Sequence, residues 1–385
     1  MKSVYLDNAA TTPIDNQVIA AIHESMLANF GNPSSTHAFG RKAKAAVETA
    51  RKSIASLLHT TAANIVFTSG GTEADNMAII CAVRDLGVKR IISSKIEHHA
   101  VLNCVEFLEA EALIDLQFVN LDENGSVDVS HLESLLAESP SVKTLVSLMH
   151  INNEIGNILD LKAVGELCKT HNALFHSDTV QSVGHFSMNL EELPVDFIVV
   201  SAHKFHGPKG VGFLYAKSRT HLKPFIHGGS QERDLRAGTE SVHNIVGLQK
   251  AMELAYLNLE KERAYITSLK RYFIHTLMDE IPGVRFNGLS GNLEKSTYTL
   301  VNVSIPLSAS EMDMFLFQLD LKGIACSKGS ACQSGAQIGS FVLNEIYGDN
   351  LDYPGIRFSF SKYNSKEELD YVISILKDLA ILKSS

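Results

Sequence analysis

The chain has 385 residues, 45% of them hydrophobic and 20% charged, with a formal net charge of −9 at neutral pH. That length exceeds one small core, the composition excludes long disordered or low-complexity tracts, and the acidic balance lacks the basic footprint that holds nucleic acid. No apolar run approaches the roughly 20 residues that span a bilayer, residues 1–13 lack an apolar signal core, and the five cysteines are odd in number and scattered, so a cytoplasmic protein with reduced thiols and no membrane partner is expected.

From about residue 65 to 215, short β-branched runs (65–68, 90–93, 116–119, 144–149, 174–176, 197–200) alternate with segments such as 72–86 and 161–169 whose apolar residues recur three and four apart. This alternation predicts an α/β unit with a mostly parallel sheet covered on both faces. A long helical pattern over 241–280 reads as a connecting helix that could carry a bend. Beyond it a strand (300–304), a helix (311–319), a Gly/Ser-rich stretch (327–340), a strand (356–360) and a last helix (366–382) predict a smaller α+β unit.

Several positions carry chemistry. The strand 65–68 runs through Ser69-Gly70-Gly71-Thr72-Glu73 into a helix, so backbone N–H groups at a helix N-terminus could cradle a phosphate. His98 follows the next strand and could stack on an aromatic cofactor, the alternative being a surface or capping role. Asp178 ends the run Ala173-Leu174-Phe175-His176-Ser177, at the carboxyl end of a strand where open α/β sheets bind ligands, and could pair with a pyridinium nitrogen or serve as an N-cap. Lys204 stands in Ser201-Ala202-His203-Lys204, a tight turn after the buried strand 197–200; partial desolvation there makes an amine a Schiff-base nucleophile, the alternative being a solvated turn lysine.

Arg236-Ala237-Gly238-Thr239 is another turn suited to an anion. Near the end, Cys332 lies in Gly329-Ser330-Ala331-Cys332, an expected exposed loop, and an attacking thiol there needs a nearby positive charge such as Lys328. Cys326, after an apolar segment, reads as packed. Arg357 could clamp a carboxylate bidentately or make a structural ion pair. Adjacent His98 and His99 diverge, and neither Cys-x-x-Cys nor His-x-x-x-His spacing supports a metal site.

Taken together, Tyr5-Leu6-Asp7-Asn8-Ala9-Ala10-Thr11-Thr12-Pro13, Gly31-Asn32-Pro33-Ser34-Ser35, Thr68-Ser69-Gly70-Gly71-Thr72-Glu73, Asn152-Asn153-Glu154-Ile155-Gly156, Asp178 with Gln181, and the turns around Lys204 and Cys332 resemble the cysteine desulfurases. These form a NifS/IscS-like group within the class V aminotransferases, enzymes of pyridoxal-phosphate fold type I. The resemblance runs nearly end to end. It implies an α/β fold with a large cofactor-binding domain (15–255) and a small α+β domain (1–14 plus 256–385) carrying the Cys332 loop. It also implies pyridoxal 5′-phosphate as an internal aldimine on Lys204, Asp178 at the pyridine nitrogen, His98 on the ring, and Asn153 and Gln181 near its hydroxyl oxygen.

Gly71, Thr72, Ser201 and His203 would hold the phosphate, with Thr239 from the second subunit of a homodimer. Arg357, helped by Asn32, would bind the carboxylate of L-cysteine. Lys204 and His98 would move protons, and Cys332 would take the sulfur as a persulfide for an acceptor protein in iron–sulfur cluster assembly or other sulfur trafficking. Lys328 and Gln333 stand where better-known cluster-assembly members have Ser and Thr, and the chain stops at Ser385 without the scaffold-docking extension of some members, so the acceptor stays open. The other readings are a lyase or aminotransferase on the same cofactor, including a selenocysteine lyase, and a silent scaffold. The first does not need a thiol on such a loop, and the second predicts a broken cofactor site, whereas Lys204, Asp178, His98 and Arg357 are all present.

Overall fold

The structure is a computed structural model, and it describes residues 3–217, 221–307, 309–329, 340–348, 351 and 353–381. Strand β1 (Val4–Tyr5) is followed by helices α1 (Asn16–Ala28) and α2 (Ala38–Leu57). Strands and helices then alternate: β2 (Ile65–Thr68), α3 (Gly71–Leu86), β3 (Arg90–Ser93), α4 (His99–Ala110), β4 (Asp115–Phe118), α5 (Val129–Glu138), β5 (Thr144–Ser147), α6 (Leu161–Thr170), β6 (Leu174–Asp178), β7 (Phe197–Ser201) and β8 (Gly212–Ala216). Among the described residues these strands form a seven-stranded sheet in the order β2-β8-β7-β6-β5-β3-β4. β8 is antiparallel to β2 and β7, and the other pairings are parallel.

Side-chain alternation explains why these strands read as continuous apolar runs. Ile198 and Val200 of β7 face one buried cluster, shared with α1, α2, α5, α6 and a later helix, while Phe197 and Val199 face another built on α3 and α4. Ile92 against Ile91, Val146 against Leu145, and Phe213 and Tyr215 against Leu214 divide in the same way. A sheet with helices on both faces has no polar side to show, so its polar residues gather at the strand ends. Thr68, Ser93, Ser147, Asp178 and Ser201 each end a strand, and each is buried.

The helical pattern read over 241–280 is two helices, α7 (Val242–Leu257) and α8 (Leu259–Glu280). They part at Asn258, whose side-chain Nδ2 and backbone N–H both donate to the Leu254 carbonyl, at 2.9 and 3.1 Å. A short amide that competes with the helical hydrogen bond favours a helix end. Then come β9 (Arg285–Phe286), β10 (Leu300–Ser304), α9 (Ala309–Leu321), β11 (Ile324–Ala325), α10 (Phe341–Tyr347), β12 (Gly355–Ser359) and α11 (Lys366–Ile381). β10 lies antiparallel between β9 and β12, and β1 pairs in parallel with β11. Val4 and Leu6 thereby join a separate core with Phe273, Phe315, Phe358 and Leu376. In it the Phe273 ring stands 5.1 Å from Phe358 and 5.6 Å from Phe360.

Candidate active site

A cavity of about 240 Å³ opens at the carboxyl ends of the parallel strands. It is lined by Gly71, Thr72, His98, Asn153, Asp178, Gln181, Ser201, His203, Lys204 and Arg357, ten residues singled out from the sequence and brought together from β2 through β12. Asn32 and Thr239 do not line it. Thr239 lies in a neighbouring depression with Thr68, Ser69 and Arg236, and the Asn32 side chain accepts from the Ser34 N–H at 2.9 Å. Cys332 lies outside the described residues.

Ala9, Ala10, Asp75, Met149 and Val180 also line the cavity, and residue-by-residue reasoning did not single them out. The Lys204 Nζ donates to the Ala9 and Ala10 carbonyls at 2.7 and 2.9 Å, and Gln181 Nε2 donates to the same Ala9 carbonyl at 2.9 Å. A backbone stretch at the far N-terminus thus aims the lysine. Asp75 had a local signal: it lies on the face of α3 that buries Ala74, Ala78 and Ala82, an unusual place for a carboxyl.

The floor of the cavity is a low-dielectric layer of titratable groups. Burial pushes the Asp178 carboxyl up, with His98 and Lys204 opposing the shift. One of its oxygens accepts from the Val180 N–H at 2.8 Å. Burial first, then Asp178 and Glu97, drive Asp75 well above the usual carboxylate range, and burial lowers His176 to about 3. Asp75 and His176 stand 3.3 Å apart, and burial disfavours the charged form of each. Burial also lowers His98, against the pull of Asp178. Its Nδ1 accepts from the Ala100 N–H at 3.1 Å to cap α4, which leaves Nε2 as the nitrogen that exchanges protons. The capping and cavity-lining roles thus coexist. Burial, with Lys204 and Lys209, lowers His203 to about 4.

On structural grounds these residues fit pyridoxal 5′-phosphate. α3 begins beside the cavity with no side-chain cap on its first N–H groups. A Cβ on Gly71 would come within 2.9 Å of Val180 Cγ2, so only glycine leaves the space beside Ser201 open. Such a helix start is an anion cradle. Among the described residues the buried Asn153 Oδ1 has no hydrogen-bond partner, as a group awaiting a ligand would be. Arg357, 1% exposed, donates from Nη1 to the Asn153 carbonyl at 2.7 Å and from Nη2 to Asp7 at 3.0 Å. Its Nε has no partner among the described residues, so the guanidinium is fixed with donor capacity to spare.

The profile of the aminotransferase class-V family matches residues 4–372. The chain is 42% identical over 379 residues to cysteine desulfurase IscS of Dictyoglomus turgidum, covering 98% of this chain and 94% of that one. It is 40% identical over 374 residues to putative cysteine desulfurase IscS 1 of Bacillus subtilis, covering 96% of each. Among solved structures, a NifS-like protein superposes with a TM-score of 0.88 at 34% identity over the whole of both chains. A NifS-like protein from Rickettsia africae gives 0.87 at 31%, covering 98% of this chain and 99% of that one.

Proposed function

The chain belongs to the aminotransferase class-V family, and from that premise we propose that it is a pyridoxal 5′-phosphate-dependent cysteine desulfurase whose Cys332 receives the sulfur. The observation that carries this reading is the convergence of Lys204, Asp178, His98 and Arg357 on one cavity beside an uncapped helix start. The reaction converts L-cysteine and the Cys332 thiol into L-alanine and a Cys332 persulfide. One S–S bond forms, the substrate C–S bond breaks, and protons make up the methyl group of alanine.

When bound, the cofactor supplies an electron sink for charge at the substrate Cα. Gly71, Thr72, Ser201 and His203 would hold its phosphate, Asp178 would pair with its pyridine nitrogen, and Asn153 and Gln181 would hydrogen-bond near its ring oxygen. Lys204 would be its covalent anchor. The Lys204 amine, guided by the Ala9 and Ala10 carbonyls, carries a proton at the substrate Cα, and His98 carries one through Nε2. Burial favours the neutral form of that imidazole, against the pull of Asp178. Arg357 orients the substrate carboxylate, with Asn32 assisting.

Cys332 then delivers its sulfur to an acceptor protein in iron–sulfur cluster assembly or related sulfur trafficking. The same reading makes the protein a cytoplasmic homodimer in which Thr239 reaches the partner's phosphate site. No helix among the described residues is long and apolar enough to cross a membrane. It also divides the chain into a large domain over 15–255 and a small one over 1–14 plus 256–385. The separate cores around β1–β11 and around the seven-stranded sheet support that division.

The test is to add L-cysteine to purified protein and follow alanine and reducible sulfur together with the cofactor's visible absorbance. Cys332→Ala is expected to keep the absorbance and lose alanine and sulfide. Full turnover in that variant would sink the mechanism.

A further inference from the structure

Glu154 is a fully buried carboxylate with no place in the chemistry above. Leaving a carboxylate out of water is costly unless hydrogen bonds or opposite charge compensate it, so what it holds is informative. Its backbone is fixed from three sides. Asn152 Oδ1 accepts from the Glu154 and Ile155 N–H groups at 2.9 and 3.0 Å, and Asn152 Nδ2 donates to the Ile96 carbonyl at 2.9 Å. Asn302 Nδ2 donates to the Glu154 carbonyl at 3.0 Å. The carboxylate therefore sits on a rigid turn.

That carboxylate meets both borders of the segment 330–339. On the far border, Ser340 Oγ donates to Glu154 Oε2. Ser340 also accepts from the Leu343 N–H at 3.0 Å and caps α10, whose first residue, Phe341, packs its ring 4.5 Å from that of His99. On the near border, Gly329 has φ +150°, and a Cβ there would run into the Glu154 carboxylate. The preceding Ser327 exchanges backbone hydrogen bonds with Arg357 at 2.7 and 3.2 Å. Asn153, the neighbour of Glu154, holds the Arg357 guanidinium through its carbonyl. Two consecutive residues thus tie the carboxylate-binding arginine and both borders of the segment to one point.

We propose that Glu154 is a positioning residue that ties Gly329 and Ser340, the described residues on either side of the segment carrying Cys332, to the turn that holds Arg357, and that sulfur transfer depends on this latch. The proposal rests on the desulfurase reading for its consequence and on the contacts of Glu154, Gly329, Ser340 and Asn153 for its geometry. The near border has the shorter lever. Cys332 is three residues from Gly329 and eight from Ser340 in the sequence.

The test uses the cofactor-loaded protein and a series at Ser340, which is not fully buried, with Glu154→Gln as a second perturbation. Ser340→Ala removes the hydroxyl and the cap together. Ser340→Asp restores a good helix cap but sets a second carboxylate against Glu154. Ser340→Thr keeps both hydroxyl and cap. Three quantities are read: the change in cofactor absorbance on adding L-cysteine, the rate of alanine formation, and the rate of Cys332 alkylation by iodoacetamide without substrate. Peptide mass spectrometry reads the last, with Cys326 as the internal reference; burial pushes that thiol up to about 12.

The latch predicts that Ser340→Ala, Ser340→Asp and Glu154→Gln bind L-cysteine normally by absorbance, but form alanine about tenfold more slowly, the scale of one hydrogen bond to a charged group. Cys332 alkylation changes in the same variants, and Ser340→Thr behaves as the parent protein. Recovery in Ser340→Asp would reduce Ser340 to a helix cap and overturn the latch, as would unchanged alkylation across the series. Failure of the desulfurase reading shows elsewhere, as wild-type alanine formation in Cys332→Ala. In that event the alkylation rates still decide the latch.

Discussion

Arg357→Lys separates two jobs that the structure gives one side chain. Arg357 is 1% exposed on β12, tied by Nη2 to Asp7 and by Nη1 to the Asn153 carbonyl, and it lines the cavity. A lysine keeps the charge but is a point donor without the planar fork, so it cannot hold Asp7, the carbonyl and a substrate carboxylate at once. Losing one hydrogen bond between charged groups costs about 1.5–3 kcal/mol, which is about 10–150-fold in kcat/KM for L-cysteine. Asp7→Asn is the control, because it weakens the tie while leaving the guanidinium, and a loss below about tenfold is expected for a neutral hydrogen-bond partner. The assay is alanine formation against L-cysteine concentration, with an absorbance titration of substrate binding. If Arg357→Lys lowers thermal stability but leaves KM and kcat/KM unchanged, or if Asp7→Asn loses as much activity, the arginine is only a structural tie.

Two predictions concern stability. The Arg51–Glu232 pair, with side chains 2% and 3% exposed, is joined at 2.7 and 2.9 Å, and Glu232 also accepts from the Phe67 N–H at 2.8 Å. Arg51 Nε also donates to the partly exposed Glu48 at 3.0 Å. Glu232→Gln removes the buried charge facing the guanidinium and is expected to cost about 3–5 kcal/mol, read as a lower urea midpoint; a shift worth under about 1 kcal/mol would show that Glu48 suffices as its partner. Asp75 faces His176, Asp178 and Glu97, and its carboxyl is raised, so between the unfolded value near pH 4 and its folded value the native state binds the extra proton. Stability contributed by Asp75 therefore falls as pH rises through that window. Cofactor-free Asp75→Asn lacks this fall and should gain on the parent protein in thermal unfolding from pH 4 to pH 8; parallel curves would contradict the assignment.

How much of this was legible depends on the sequence distance over which each contact is made. The strands around β7 were readable because both their faces are buried, which leaves an unbroken apolar run, and the turn bearing Lys204 follows directly. The break at Asn258 was not, because one amide among long apolar periods looks like an exposed helical position until its bond to Leu254 is seen. Nor does anything near Lys204 reveal that the Ala9 and Ala10 carbonyls, some 195 positions away, direct its amine. Glu154 is the sharpest case. Residue by residue it reads as a loop acid that ought to be solvated, and the sequence marks it only as one letter of a motif. Its meaning comes from closure of the smaller core, which brings Asn302, Gly329 and Ser340 onto the turn after β5. Residues that do chemistry announce themselves by type, since few side chains can form a Schiff base or clamp a carboxylate. Residues that hold the chemistry in register are ordinary polar types made unusual only by burial, so in this chain they become visible at the same moment as the tertiary contacts that bury them.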